Sequence, residues 1–127
     1  MATQETTGGS SPDEAEPTVL FVDDDPQLTA LYEAQYGAEF TVVTATSGET
    51  ALQEFGDHID FAFFDRRMPD LRGEEVIRQV RNEGYETPVG IISAVDAESN
   101  LSVDPDVYLT KPPSVERVTE TVLEYWG

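Results

Sequence analysis

No cysteine occurs anywhere in the chain. Disulfides and thiolate metal sites are therefore excluded. Basic residues are scarce, seven against 26 acidic ones, for a formal net charge of −19. Binding to phosphate backbones needs a basic face, so nucleic acid is not expected as a direct partner. Lysine is scarcer still: Lys111 stands alone beside six arginines. No apolar run approaches the roughly 18–20 residues that a membrane span needs. The first residues offer neither the basic start nor the apolar stretch of a signal peptide. These absences point to a soluble, cytoplasmic protein with no membrane or nucleic-acid contact.

Apolar residues make up 39% of the 127 positions, enough for the core of one domain and not comfortably for two. Residues 1–16 are rich in Ser, Thr, Gly, Pro and acid, cannot bury a core, and read as a disordered acidic tail. The folded domain is expected over residues 17–127. Thr18–Val22 is a β-prone run, apolar on both faces as in a central parallel strand. Pro26 can open a helix, with a stripe at Leu28, Leu31, Tyr32 and Gln35–Tyr36 that ends at Gly37. Phe40–Val43 reads as a second strand. Thr46 to Glu49 has the spacing of a capping box, ahead of a helix with Ala51, Leu52 and Phe55 inside. His58 falls in the loop Gly56–Asp60, and Phe61–Phe64 is a third strand. Arg72–Asn82 follows as a helix with Val76, Ile77 and Val80 inward, closed by Gly84. Pro88–Ile92 and Val107–Leu109 are two further strands, with at most a turn or so of helix at Asp96–Leu101 between them. Pro113-Ser114 opens a last helix with Val115, Val118 and Val122 inside, closing with Tyr125-Trp126, of which Trp126 packs the helix. Strands alternating with helices imply a parallel sheet covered on both faces.

In such sheets the site lies beyond the carboxyl ends of the strands. The first strand leaves Asp23-Asp24-Asp25 there, the third Asp65, the fourth Ser93 and the fifth Lys111. Taken singly, each has an ordinary explanation. Asp23–Asp25 would be a helix N-cap cluster, Asp65 a turn residue and Lys111 a solvated lysine. Together they are several carboxylates, one hydroxyl and one ammonium, each delivered by an independent strand. Clustered carboxylates repel unless a cation neutralises them, and oxygen ligands favour a hard ion such as Mg²⁺. A carboxylate can attack phosphorus to give an acyl phosphate, with the charges of Mg²⁺ and Lys111 facing the phosphoryl oxygens.

With these residues the chain resembles the receiver domain of two-component response regulators, from about Pro17 to the end. The resemblance implies a flavodoxin-like, doubly wound, five-stranded parallel sheet of order 2-1-3-4-5. It implies that Asp65, in Phe-Phe-Asp-Arg-Arg-Met-Pro, is the phosphoacceptor. Asp24 would then be the direct Mg²⁺ ligand, with Asp23 acting mainly through water and the Arg67 backbone carbonyl completing the protein ligands. Ser93, in Ile-Ile-Ser-Ala, matches the switch hydroxyl. Lys111, in Leu-Thr-Lys-Pro, matches the lysine that pairs with the phosphoryl group. Tyr108 matches the aromatic that rotates inward; as a strand-end aromatic it has an equally plain explanation. The implied partners are a sensor histidine kinase and a downstream protein, with a phosphorylation-dependent dimer as a further state. The chain would act as a switch and not as an enzyme with a separate substrate, either alone or as a piece of a longer regulator.

Two departures from the family pattern stand out. Only seventeen residues separate Ser93 from Lys111, so the fourth helix must be short or degenerate. Arg67 and Val95 occupy the positions that in the family tune loss of the phosphoryl group, and bulky Arg67 would shield it. Two other functions compete. Asp23-x-Asp25 after an apolar strand resembles the nucleophile motif of haloacid-dehalogenase-type phosphatases, though Asp65 would then be unexplained. A receiver-like module that is never phosphorylated is the other.

A surface this acidic repels itself at low salt and is screened at high salt, as suits a halophilic, high-salt cytoplasm. Thermal melts should therefore rise in midpoint from low to molar salt; a flat series contradicts that reading.

Overall fold

In a computed structural model, residues 16–94 and 101–126 are described. Nine elements follow one another: β1 (Thr18–Val22), α1 (Pro26–Tyr36), β2 (Thr41–Ala45), α2 (Gly48–Glu54), β3 (Phe61–Asp65), α3 (Gly73–Asn82), β4 (Val89–Ser93), β5 (Val107–Thr110) and α4 (Val115–Trp126). The five strands form one sheet in the order β2-β1-β3-β4-β5, and every neighbouring pair is parallel. This is the expected doubly wound order. Of the short helix expected at Asp96–Leu101, only Leu101 is described, and it is not helical; the tail up to residue 15 lies outside the described residues.

The strand sequences explain why both faces are covered. Along β1, Val19 and Phe21 point into one cluster and Leu20 and Val22 into the other; along β3, Phe61 and Phe63 oppose Ala62 and Phe64. Such period-two alternation, apolar on both sides, requires a helical layer on each face. Val76, Ile77 and Val80 of α3 and Ala51 of α2 cover one side. Tyr32 and Tyr36 of α1 and Val118 and Val122 of α4 cover the other. The second cluster is aromatic: the Phe21 ring stacks at 4.6 Å on Tyr32, 5.2 Å on Tyr36 and 5.4 Å on Phe63.

Several local expectations are corrected. On α1 the buried residues are Thr29, Tyr32 and Tyr36, while Leu31 is 47% exposed and Gln35 lies outside. The aromatic pair, stacking on Phe21, sets the rotation of the helix. Strand β2 begins one residue late because Phe40 still donates its N–H to the Tyr36 carbonyl. The cap of α2 is Ser47, whose side chain accepts the Thr50 N–H. No Thr46–Glu49 capping box forms, because the Gly48 and Glu49 N–H groups go to the Asp70 carboxylate at 3.0 Å each. Helix α3 starts at Gly73 rather than Arg72, whose side chain makes no capping bond. On α4, Val115, Tyr125 and Trp126 are all exposed, so Trp126 does not pack the helix as expected; Tyr125 still meets Phe61 edge-on at 5.5 Å. Gly84 does close α3, at φ +97°, where a side chain would be strained.

Phe21→Ala removes the ring shared by three stacking partners. It should cost about 3–5 kcal/mol, read from denaturant melts; a loss below about 1 kcal/mol contradicts this account of the core.

Candidate phosphoacceptor site

The sheet's own hydrogen bonds aim the site. The Asp23 N–H donates to the Ala45 carbonyl at 3.0 Å, which extends the β1–β2 ladder, and the Lys111 N–H donates to the Ser93 carbonyl at 2.8 Å, which extends β4–β5. Asp65 is the last residue of β3 and pairs with Ile92. These residues therefore leave the sheet at one edge with fixed backbones. Behind Asp65 the chain turns sharply into α3, and the Gly73 N–H donates to the Arg66 carbonyl at 3.0 Å. A Cβ at Gly73 would collide with the Asp65 carbonyl oxygen, so only glycine lets α3 begin this close to the strand end.

Asp23, Asp24 and Asp65 each bring a carboxylate oxygen to within 4.8 Å of the others. Asp23 and Asp65 are buried and Asp24 is exposed. The Lys111 ammonium lies 2.7 Å from Asp23 Oδ2 and 3.4 Å from Asp65 Oδ2. Asp23 Oδ1 accepts the Asp25 N–H at 2.9 Å, and Asp65 Oδ1 accepts the Arg67 N–H at a longer 3.4 Å. Three carboxylates against one ammonium leave a surplus of negative charge in a half-buried pocket. Hard oxygen donors with that surplus fit a divalent cation such as Mg²⁺.

Electrostatics single out Asp65. Burial, reinforced by the Asp23 charge, raises its carboxyl above the ordinary range, while Lys111 and the Arg67 N–H pull it only part of the way back. Burial works against the Lys111 charge too, but Asp23 and Asp65 outweigh it and hold its pKa up. Tyr32 lies buried beneath this edge; burial first, then Asp23, keep its phenol neutral.

The structure thus gathers Asp23, Asp24, Asp65 and Lys111, with buried Ser93 on the adjoining strand end. Tyr108 stands half-buried on β5. Asp25 does not join them: its carboxylate accepts the Gln27 N–H at 2.9 Å and caps α1. The cap explanation thus holds for one of the three acids, and the Asp23-x-Asp25 pair of the phosphatase reading is not aimed at one centre. His58 is an exposed loop residue. Val95 lies outside the described residues.

Sequence reasoning missed two supports. Asp70 caps α2 from a distant loop, and the Gly48 and Glu49 N–H groups hold its carboxyl below the usual range. Arg66, directly after Asp65, is buried against Glu74 at 3.0 Å, each side chain 6% exposed. Only the burial of a charged residue behind an apolar strand hinted at a partner, and nothing in the spacing named it.

A doubly wound sheet with an acidic cluster and one lysine at its carboxyl edge defines a class of phosphoryl-accepting switch. The family model described as response regulator receiver domain matches residues 19–123, and the chain belongs to this family. A putative transcriptional regulator of Haloferax volcanii is 41% identical over 113 residues, covering 87% of this chain and 19% of that protein. The transcriptional regulatory protein CpxR of Escherichia coli K12 is 35% identical over 99 residues, covering 74% and 42%. The chain therefore spans less than half the length of these relatives. Among solved structures, the receiver domain of Francisella response regulator 1452 superposes with a TM-score of 0.78 at 28% identity, covering 87% of this chain and 97% of that one. The response regulator TrrA of Thermotoga maritima, in complex with Mg²⁺ and BeF, gives 0.77 at 26% identity, covering 86% and 98%.

A raised folded-state pKa means that the folded protein binds the Asp65 proton more readily than the unfolded chain. The stability this group contributes is present at low pH and lost as pH rises through its folded pKa. Asp65→Asn should therefore melt higher than wild type in chelator at about pH 7, with the gain vanishing towards about pH 4. A wild type more stable than the variant at neutral pH contradicts this sign.

Proposed function

We propose that Asp65 is the phosphoacceptor and that a histidine kinase donates to it. The observation that carries this reading is the Lys111 ammonium, shared between Asp23 and Asp65 at 2.7 and 3.4 Å. It sits where a phosphoryl group on Asp65 would place its oxygens. In the transfer, an ionised Asp65 oxygen attacks phosphorus, the O–P bond forms and the P–N bond of the phosphohistidine breaks. The leaving imidazole keeps the electron pair and takes up a proton. Lys111 loses its hold on the carboxylate and gains the phosphoryl oxygens, acting as a compact point charge.

Asp24, Asp65 and the Arg67 carbonyl would hold Mg²⁺, which supplies positive charge towards the phosphoryl oxygens. The hydrogen-bonding pattern supports that division of labour. Both Asp23 oxygens are engaged, by Lys111 and by the Asp25 N–H, whereas Asp24 is exposed. Asp23 then acts through water. Ser93 is the candidate to meet the phosphoryl group once it is in place, and Tyr108 to respond to it.

An apolar groove of about 280 Å³ opens beside the site, lined by Leu28, Leu31, Tyr32, Lys111, Pro112 and Pro113. Leu31, displaced from the core, stands at its rim, 47% exposed. A kinase surface seated there would bring its phosphohistidine to the Lys111 side of Asp65. The altered surface would then change the binding of a downstream protein, and no separate substrate would be turned over.

Incubation with acetyl phosphate and Mg²⁺ should add one phosphoryl mass to the wild type and none to Asp65→Asn. Asp24→Asn should lower the yield at limiting Mg²⁺ and weaken the stabilisation by Mg²⁺, about 2.7 kcal/mol at a hundredfold excess over Kd. Equal mass gain in wild type and Asp65→Asn, or gain in neither, overturns the assignment.

A further inference from the structure

One polar network, buried at Arg66 and Glu74 and reaching the surface at Ser102 and Arg78, lies outside the acidic cluster. Arg66 Nε donates to Glu74 Oε1 at 3.0 Å in a nearly water-free setting. The other oxygen, Glu74 Oε2, accepts the Ser102 N–H at 2.8 Å and the Ser102 hydroxyl at 3.1 Å. Arg78 Nη2 reaches the Ser102 hydroxyl at 2.6 Å. Arg66 also hydrogen-bonds Tyr108. Burial opposes the charge of Glu74, but Ser102 and Arg66 together hold its carboxyl below the ordinary range.

The placement is informative. Arg66 is covalently next to Asp65, while Ser102 belongs to the connection between β4 and β5, where Leu101 and Val103 pack against the core as partly buried side chains. A buried ion pair contributes little net stability, since desolvation offsets the Coulomb gain, and its best-attested use is to specify one arrangement over another. Glu74 is also well placed to choose between arrangements, because its two oxygens serve two different parts of the chain.

We infer that Arg66 is a positioning residue of the switch: through Glu74 it fixes the segment Leu101–Val103, and through Tyr108 it fixes β5, according to the state of Asp65. The inference rests on Asp65 being the acceptor. A phosphoryl group there adds about −1.5 to −2 charges one residue from the guanidinium. That charge sits on the residue covalently joined to Arg66, so adjustment of the shared backbone shifts the guanidinium against Glu74, and a loosened Glu74 gives up Ser102. In this chain the signal would leave the site through an ionic link into the β4–β5 connection, the region where the short spacing between Ser93 and Lys111 leaves little room for a helix.

The Ser102 N–H reports on this directly, because its acceptor is Glu74. Amide hydrogen exchange followed by NMR, before and after phosphorylation with acetyl phosphate and Mg²⁺, should speed up at Ser102 at least about fivefold in the wild type. In Arg66→Met, Asp65 should still gain the phosphoryl mass while the Ser102 ratio between the two states falls to about one; Arg66→Lys should restore part of it. Glu74→Gln keeps the shape and one acceptor oxygen for Ser102 while presenting a donor to Arg66, and should also flatten the ratio, which covers the case in which Arg66→Met fails to fold. A purely structural Arg66 would shift both states equally and leave the ratio unchanged, and that result overturns the inference. So does a phosphorylated wild type whose Ser102 exchange does not move. A wild type that gains no mass overturns the acceptor reading itself, and this inference with it.

Discussion

Two carboxylates held close together in a half-buried pocket set the terms for everything around them. With oxygens within 4.8 Å, two ionised groups repel on the order of 3–4 kcal/mol at an effective dielectric of about 20. That is a sizeable share of the stability of a small domain. Lys111 offsets part of it by bridging Asp23 and Asp65. Burial, then the Asp23 charge, raises the pKa of Asp65, and the surplus of carboxylates leaves the site short of positive charge. Under the proposed function, a divalent cation would answer the shortage before the reaction, and a phosphoryl group would rearrange it afterwards. Function thus follows from electrostatic tension that the fold sustains.

Sustaining it requires rigid backbones, and the sheet supplies them. Asp23 and Lys111 each continue a strand ladder by one hydrogen bond, so neither charge can drift away from the other. The cores beneath are filled from both sides by alternating side chains of β1 and β3. Gly73 lets α3 start against the Asp65 carbonyl, and Asp70 ties the same loop to α2. The loop that carries Arg66 and Arg67 is thereby anchored at both ends, so a change at Asp65 meets a defined surrounding structure.

Much of this was legible in the sequence, for physical reasons. Apolar runs of strand length ending in acid, hydroxyl or lysine mark buried parallel strands and their carboxyl edge, so Asp23, Asp24, Asp65, Ser93 and Lys111 could be placed without coordinates. The sheet order came from the family resemblance, since hydrophobic periodicity does not rank strands. Helix rotation was misread on α1, where Leu31 looked inward by spacing but the stacking of Tyr32 and Tyr36 on Phe21 decided the face. The α2 cap was misread because its main acceptor, Asp70, lies more than twenty residues away in the chain. The Arg66–Glu74–Ser102 network was invisible for the same reason: tertiary hydrogen bonds leave no local spacing.

The central claim is that the nucleophile is Asp65 and not a neighbouring carboxylate. Reduction with borohydride converts an acyl phosphate to an alcohol, so peptide mapping after acetyl phosphate treatment identifies the modified residue. The account predicts reduction at Asp65 alone, dependent on Mg²⁺. Reduction at Asp23 or Asp24 instead, or at Asp65 to the same extent in chelator, would contradict it.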